Sequence, residues 1–597
     1  GQAWLAPIDR RVRSASRIAD IGSAEEGQLV LAEPAGRFPR SGVNVVETLG
    51  NPLAPNSFSL IAIAKYGIPH VFSSEVLDEA ERAANISLEG DRREDLRDIP
   101  IVAIDPADAR DHDDAIWAEP DGDGGFRALV AIADVSFYVR SGGALDREAR
   151  KRGNSVYFPD RVVPMLPEIL SANVCSLRED EDRAAMVCHL QINSQGKVTA
   201  YRFARALVRI AHNLAYEEAQ RQIDSGEADD ILRHLWACWN ALNTARQARD
   251  PLELELPERQ VRLDDQGKIA AITMRERLDA HRVVEDFMIT ANVAAAKALE
   301  SKASPVVYRV HEPPNREKLI ALRDYLQTLD INLALGQVIT PGVFNRLLSG
   351  ISDEAEKAQL MEAVLRSQTQ AYYSPRNSGH FGLALGSYSH FTSPIRRYSD
   401  LLVHRALVDA WHLEQPAPKD ASLPVHTGLP ERDRDKLSQI TDALSEAERR
   451  AMEAERDTLD RYVAAYLSDR TGEIFETRIT GVQSFGFFAT IIGLGGDGLV
   501  PVSTLGAEHF TYNEKERSLS GDDSGDSYTL GQRVKLRLAE ANALTGALKF
   551  EPVDSEGMPI EPRGSRPSDN RKYKPKRGHQ QGRRGRPANI RHQGRRR

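Results

Sequence analysis

Residues Ala103–Glu119 read AIDPADARDHDDAIWAE, and five aspartates fall within the ten positions from Asp105 to Asp114. The run enters from the apolar IPIVAI and leaves through AIW. Alternation and β-branched residues on either side predict two strands, Asp105 closing the first and Asp113 and Asp114 opening the second. The connection therefore gathers carboxylates where strands end. Four like charges at close range repel one another unless a cation joins them or some become protonated. A hard divalent ion is the economical solution, because Mg²⁺ prefers carboxylate and water oxygens. Such an ion can activate a water and stabilise the departing oxygen in phosphodiester cleavage. A solvated acidic turn stays open as the plainer reading. A calcium loop is disfavoured, since the run lacks the Gly and the terminal Glu of an EF-hand.

A second stretch, HFTSPIRRYSDLLVHRAL from His390 to Leu407, points the same way. Ser393 suits an N-cap and Pro394 a first turn, so a helix is expected to start there. Arg396 and Arg397 would then lie in the first turn, where the helix dipole disfavours cations by about 0.3–1 kcal/mol each. Two arginines in that place imply an anion opposite, because free helix N–H groups and guanidinium forks both grip phosphate. The plain alternative is an i,i+4 pair between Arg396 and Asp400.

The remainder of the 597 residues bounds the setting. That length implies several domains, and 41% hydrophobic with 28% charged residues is a soluble globular balance. No apolar run reaches the roughly 20 residues of a membrane helix. The chain opens GQAWLAPIDRR, with neither an apolar signal core nor an initiator Met, so a processed or truncated chain is expected. Cys175, Cys188 and Cys238 show no metal or disulfide spacing, which suits the cytoplasm. The net charge of −9 hides a division: fourteen Lys/Arg against two acids from Glu561 to Arg597 give that end +12, leaving −21 on the body. Such a tail buries almost nothing and attracts polyanions, nucleic acid first.

Composition shifts divide the chain into a partial small β-barrel (1–52), a linker with a helix near Ser74–Ala84 (53–94), and a large mixed α/β region (95–412). A helical extension follows (413–470), then a second small barrel (471–552) and the disordered basic tail (553–597). Long helices are expected over DAHRVVEDFMITANVAAAKALES and SEAERRAMEAERDTLDRYVAAYL, the latter laced by i,i+4 ion pairs.

The run DPADARDHDDA, with its lead-in DLRDIPIVAID, resembles the signature of the ribonuclease II/ribonuclease R family, whose catalytic part is the RNB domain. TSPIRRY matches a second element of that family. The resemblance implies a multidomain α+β protein, its RNB domain flanked by cold-shock and S1-type OB barrels. It implies processive 3′→5′ hydrolysis of single-stranded or 3′-tailed RNA to 5′-monophosphates, in RNA decay and quality control. It puts the Mg²⁺-binding acids, with Mn²⁺ as an alternative ion, on Asp105, Asp111, Asp113 and Asp114, and leaves Asp108 supporting. His112 stands where the family is expected to carry an aromatic.

The resemblance also makes Arg396, before Arg397, the holder of the scissile phosphate, and sets Tyr157 against the 3′-terminal base. Leu254 stands where a second stacking aromatic is expected. Glu448 resembles a glutamate near the site, with Glu453 or Glu455 as alternatives and Glu285 a weaker candidate. The order barrel, RNB domain, OB fold, basic tail fits the ribonuclease R branch. A monomer is implied, with RNA as partner and ribosomal or decay partners reached through the tail.

In the last barrel, SFGFF places Phe485, Phe487 and Phe488 close together. Phe487 and Phe488 must face opposite ways on a strand, so at least one aromatic is exposed as a stacking platform for RNA bases. The rival from another class is a catalytically silent RNA-binding scaffold. It predicts erosion of the aspartates or of TSPIRRY, and neither is eroded. A DNA exonuclease also stays open, because 2′-OH contacts cannot be read from residues.

Overall fold

A computed structural model describes residues 2–8, 14–36, 42–254, 259–265, 267–274, 276–514, 516–554 and 556–560. The expected disordered tail is corrected at its start, where Val553 bridges to Pro559; the basic stretch from Glu561 onward lies outside the described residues. A sheet of six strands forms the centre of the catalytic region, in the order Asp182–Ile192, Phe126–Ala133, Asp114–Pro120, Ile101–Asp105, Val198–Ala215 and Glu94–Asp95. Asp182–Ile192 also pairs with Val198–Ala215, so the five longer strands close on themselves. The strands are rich in Val, Ile and Ala, and residues 101–103 and 130–133 are completely buried. Such near-continuous apolar runs belong to strands covered on both faces. The alanine-rich helix Asp279–Ser301 lies in the same core as the sheet.

Ser73 caps the expected helix Ser74–Ala84, accepting the Val76 N–H. A smaller lobe with its own core gathers the helices Arg316–Gln327, Pro341–Ser349 and Glu354–Ser367. N-terminal to the catalytic region is a four-stranded sheet in the order Trp4–Leu5, Ser16–Asp20, Val43–Gly50, Leu29–Pro34. C-terminal to it, five strands between Ile474 and Pro552 close a barrel, with a three-stranded sheet inserted over Phe510–Thr529.

One helix of 32 residues, Leu437–Ser468, ties these parts together. Leu437, Ile440 and Leu444 enter the central core. Ala451 and Ala454 pack with Ala62, Ile63, Val156 and Phe158, and Val463, Ala464 and Leu467 belong to the barrel core. The expected lacing is sparse. Among the described residues of this helix, Asp457–Arg461 is the i,i+4 pair; Asp457 also reaches outward to Lys65, and Glu448 to Arg309. Tertiary burial, more than surface pairing, holds it. No described helix is long and apolar enough to cross a membrane. The three cysteines are free and buried.

Candidate active site

Asp105 ends its strand and Asp114 begins the next, so the loop between them sits at the sheet edge. Ser176 pins that loop, accepting the His112 N–H at 3.0 Å and donating to the Arg110 carbonyl at 2.8 Å. Asp113 is the innermost acid, 3% exposed. Its Oδ1 accepts the Ile395 N–H at 2.8 Å. Its Oδ2 is buried with no hydrogen-bond partner, and lies 3.6 Å from Nε of Arg396. Burial raises the Asp113 carboxyl well above the carboxylate range, Arg396 and the Ile395 N–H oppose the shift, and Asp111 and Asp114 add to it. Burial and then the charge of Asp105 push the Asp114 carboxyl up to about 7. Asp105 Oδ2 lies 2.7 Å from His112 Nδ1, and Asp111 Oδ2 accepts the Tyr157 hydroxyl at 3.2 Å. Asp108 is exposed.

This donor set suits a hard cation. Asp113, buried, and Asp114, partly exposed, are both held above their usual range despite Arg396, and one Asp113 oxygen has no hydrogen-bond partner. Among the described residues no three His, Cys, Asp or Glu side chains already converge as a complete ligand cage. Mg²⁺ takes one or two carboxylates and keeps several waters, and an open acidic edge fits that habit.

The arginines are delivered differently from the expectation. The helix starts at Tyr398, not at Ser393. Arg397 is extended, with φ −138° and ψ 123°, and bridges to Asn154. The Ser155 N–H donates to the Arg396 carbonyl at 3.0 Å and the Tyr398 N–H to Gly153 at 2.9 Å. Pairing with residues 153–155 satisfies backbone groups that a helix start would leave open, so the dipole argument does not apply. Asp400 is taken by Arg397, through Nε at 2.9 Å and Nη2 at 2.7 Å. Arg396 is free of Asp400. Its Nη2 donates to Ser393 Oγ at 2.9 Å, and its side chain, 45% exposed, faces Asp113.

A cavity of about 240 Å³ opens beside Arg396, lined by Asn154, Tyr157, Tyr373, Glu448 and Glu455 among others. Tyr157 is 41% exposed, and its N–H donates to Glu455 Oε1 at 2.8 Å. Glu448 accepts from Arg309 at 2.7 Å, whose guanidinium lies 4.8 Å over the Tyr373 ring. Both Glu448 and Glu455 therefore reach the cavity, while Glu453 is exposed on the helix. Glu285 is engaged by Arg246 and Arg277. Leu254 packs against the core of the smaller lobe and is not a wall of this cavity. In the last barrel Phe485 and Phe488 are 53% and 38% exposed, an edge-to-face pair with centroids 6.1 Å apart. Phe487 is completely buried, stacked on Tyr528. As an RNA contact Phe487 is corrected: strand alternation commits it to the core.

Three segments match known domain families: the RNB domain at residues 93–412, the cold shock domain at 4–73 and the S1 RNA binding domain at 468–546. Ribonuclease R of Vibrio cholerae is 38% identical, over 93% of this chain and 69% of its own length. That of Escherichia coli is 36% identical over 94% and 70%. The chain belongs to the ribonuclease R family. As a ribonuclease R-type chain it is a 3′→5′ exoribonuclease, a hydrolase that binds RNA. A Mycoplasma genitalium RNase R solved with ribose-methylated single-stranded RNA shares the fold, with TM-score 0.82 and 24% identity over 92% of this chain and 89% of that one. A yeast pseudonuclease also superposes, with TM-score 0.64 and 17% identity over 87% and 66%. Within this ribonuclease R-type site, sequence reasoning missed the Ile395 N–H, Tyr373 and Arg309, and set Asp400 against Arg396 where the structure pairs it with Arg397. The roles of the Ile395 N–H, Tyr373 and Arg309 arise from contacts between distant segments, and no local spacing signals them.

Proposed function

We propose that the chain removes nucleotides processively from the 3′ end of single-stranded RNA, including the tails of structured RNA. It releases 5′-nucleoside monophosphates and serves RNA decay and quality control in the cytoplasm. The observation that supports this best is Asp113: a buried carboxylate with one oxygen fixed by a backbone N–H and the other unpartnered and facing Arg396. Asp113 and Asp114, with Asp105 and Asp111 beside them, would hold Mg²⁺ or Mn²⁺. Bound there, the ion supplies water activation and charge neutralisation at the departing oxygen.

The chain's own groups do the positioning. Arg396 offers a guanidinium fork to the scissile phosphate and compensates charge that grows there. The Tyr157 ring gives the terminal base a face to stack on, and its hydroxyl bond to Asp111 sets the ring relative to the acids. The Glu448 oxygen not engaged by Arg309 can accept from a ribose hydroxyl. Phe485 and Phe488 stack bases further from the end. Arg397 acts through Asp400 and holds the turn more than it touches RNA.

The test is incubation of purified protein with 3′-tailed RNA and with DNA, in Mg²⁺ and then in EDTA. Mononucleotides from RNA alone, only with the ion, are expected. Asp113→Asn should lower the rate by about 10²–10³ or more while RNA binding persists. Full hydrolysis by that variant would sink the assignment.

A further inference from the structure

Two arginines face each other on the S1-type barrel where a sheet ordinarily avoids them. Arg478, on the strand Ile474–Gln483, is directly opposite Arg533 on the strand Arg533–Asn542. Like charges in that relation destabilise a sheet. Burial and Arg533 both disfavour the charge on Arg478, offset by attraction to Glu362 and Asp353 from the catalytic region. Among the described residues neither guanidinium makes a hydrogen bond or a close ion pair. A local rule broken with no hydrogen-bonded partner to compensate it is a pointer to function.

A third arginine reaches the same face from the other domain. Arg366 lies in the last turn of the helix Glu354–Ser367, where Nη2 donates to Glu362 at 2.7 Å. Its Nη1 lies 3.9 Å from the point where a Cβ on Gly481 would stand, and Cδ2 of Phe488 lies 3.8 Å from that same point. The missing side chain of Gly481 thus leaves a notch between a guanidinium and an exposed aromatic ring. Arg478 pairs with Thr490, two residues along the same strand from Phe488 and so on the same outward side. The junction is packed: Gln359 donates to the Leu530 carbonyl at 2.8 Å, and Leu530 enters the core of the helical lobe.

We propose that Arg366, Arg478 and Arg533 form a phosphate-binding saddle that carries an RNA backbone from the aromatic face of the barrel onto the catalytic domain. Its ligand is a run of phosphodiesters, recognised by charge without regard to sequence. The saddle rests on the reading that the chain binds single-stranded RNA, and adds to it a subsite shared between two domains. Because the barrel and helix are already docked, little ordering is needed when the backbone arrives. The competing role is glue between domains, the arginines serving only Glu362 and Asp353.

Fluorescence anisotropy with a labelled long oligouridine, in EDTA and over a series of salt concentrations, separates these. The double variant R478Q/R533Q is expected to bind about tenfold more weakly at moderate salt. Its log–log salt slope should be shallower by about 1.4, some 0.7 for each phosphate left without its arginine. R366Q should flatten the slope by about 0.7 more, and R478K/R533K should restore both quantities. Wild-type affinity and slope in the glutamine pair overturn the saddle, as does a lysine pair no better than the glutamine pair. A glutamine pair whose melting temperature falls while RNA affinity is unchanged also overturns it, and shows glue. If F488A weakens binding while the arginine variants do not, only the saddle fails. If the unmutated protein does not bind the RNA, the reading beneath it fails too.

Discussion

Asp400 is completely buried. It accepts the Ser393 N–H at 2.8 Å, the Ser399 hydroxyl at 2.9 Å and both arms of Arg397. The turn it organises supplies the Ile395 N–H to Asp113 and carries Arg396, so this carboxylate positions two contacts of the site without reaching it. Asp400→Asn leaves the Arg397 guanidinium without its counter-charge, and about 3–5 kcal/mol of stability should be lost, read as a shift in urea midpoint. At temperatures where the variant is folded, kcat should fall more than KM for RNA. An unchanged kcat would show that the turn keeps its shape without the charge. The preference for Arg396 over Arg397 comes from the resemblance of TSPIRRY to the family motif and stays a proposal. The reason for it is not legible in the sequence, because it depends on which arginine the buried Asp400 captures.

Gly153 sits at φ +76°, and a Cβ there would stand 2.7 Å from that of Ala447 on the long helix. It begins the segment that pairs with Arg397 and carries Tyr157. Gly153→Ala should therefore push helix and segment apart, at a cost of about 1–3 kcal/mol from overpacking plus strain at positive φ. The expected readings are a lower melting temperature and a weaker grip on the RNA end, visible as longer final products on a gel. Products of unaltered length would mean that Tyr157 is held independently of this contact.

Elements with strong periodicity are readable at this scale. The helix Asp279–Ser301 coincides with the alanine-rich run that predicts it, and the strand pair around the aspartates follows from its apolar, β-branched flanks, the second strand opening at Asp114 and not at Asp113. A helix start at Ser393 misleads because its capping residues are locally persuasive, while the competing β-bridge comes from Asn154, far away in sequence. Phe487 and Phe488 can be told apart in principle, but which of them faces inward depends on how the barrel closes.

At the scale of the whole molecule, two inward histidines, His404 buried and His380 partly so, should govern behaviour in mild acid. Burial lowers His380 to about 3 and His404 to about 4, from an ordinary 6.5. The folded chain keeps both neutral, so below about 6.5 the unfolded chain binds more protons and stability falls as pH drops. Asp113 and Asp114, with raised carboxyls, act in the opposite sense: they protonate more readily when folded and gain stability on acidification. Melting curves of the D113N/D114N protein from neutral pH to pH about 5 remove that opposing part. A steady fall in melting temperature is expected, flattened by adding His404→Gln, whereas a level profile would show that the histidines titrate normally. Domain order is legible because each part has its own composition, but the fusion of the parts through Leu437–Ser468 is not, since that helix lends residues to three cores in turn. At 1.5 Å per residue its 32 residues make a strut of about 48 Å. Leu444, Glu448 and Glu455 along its first two thirds line the cavity beside Arg396, and its far end is built into the last barrel. Cavity and barrel are therefore joined by one unbroken element, with no loop between them.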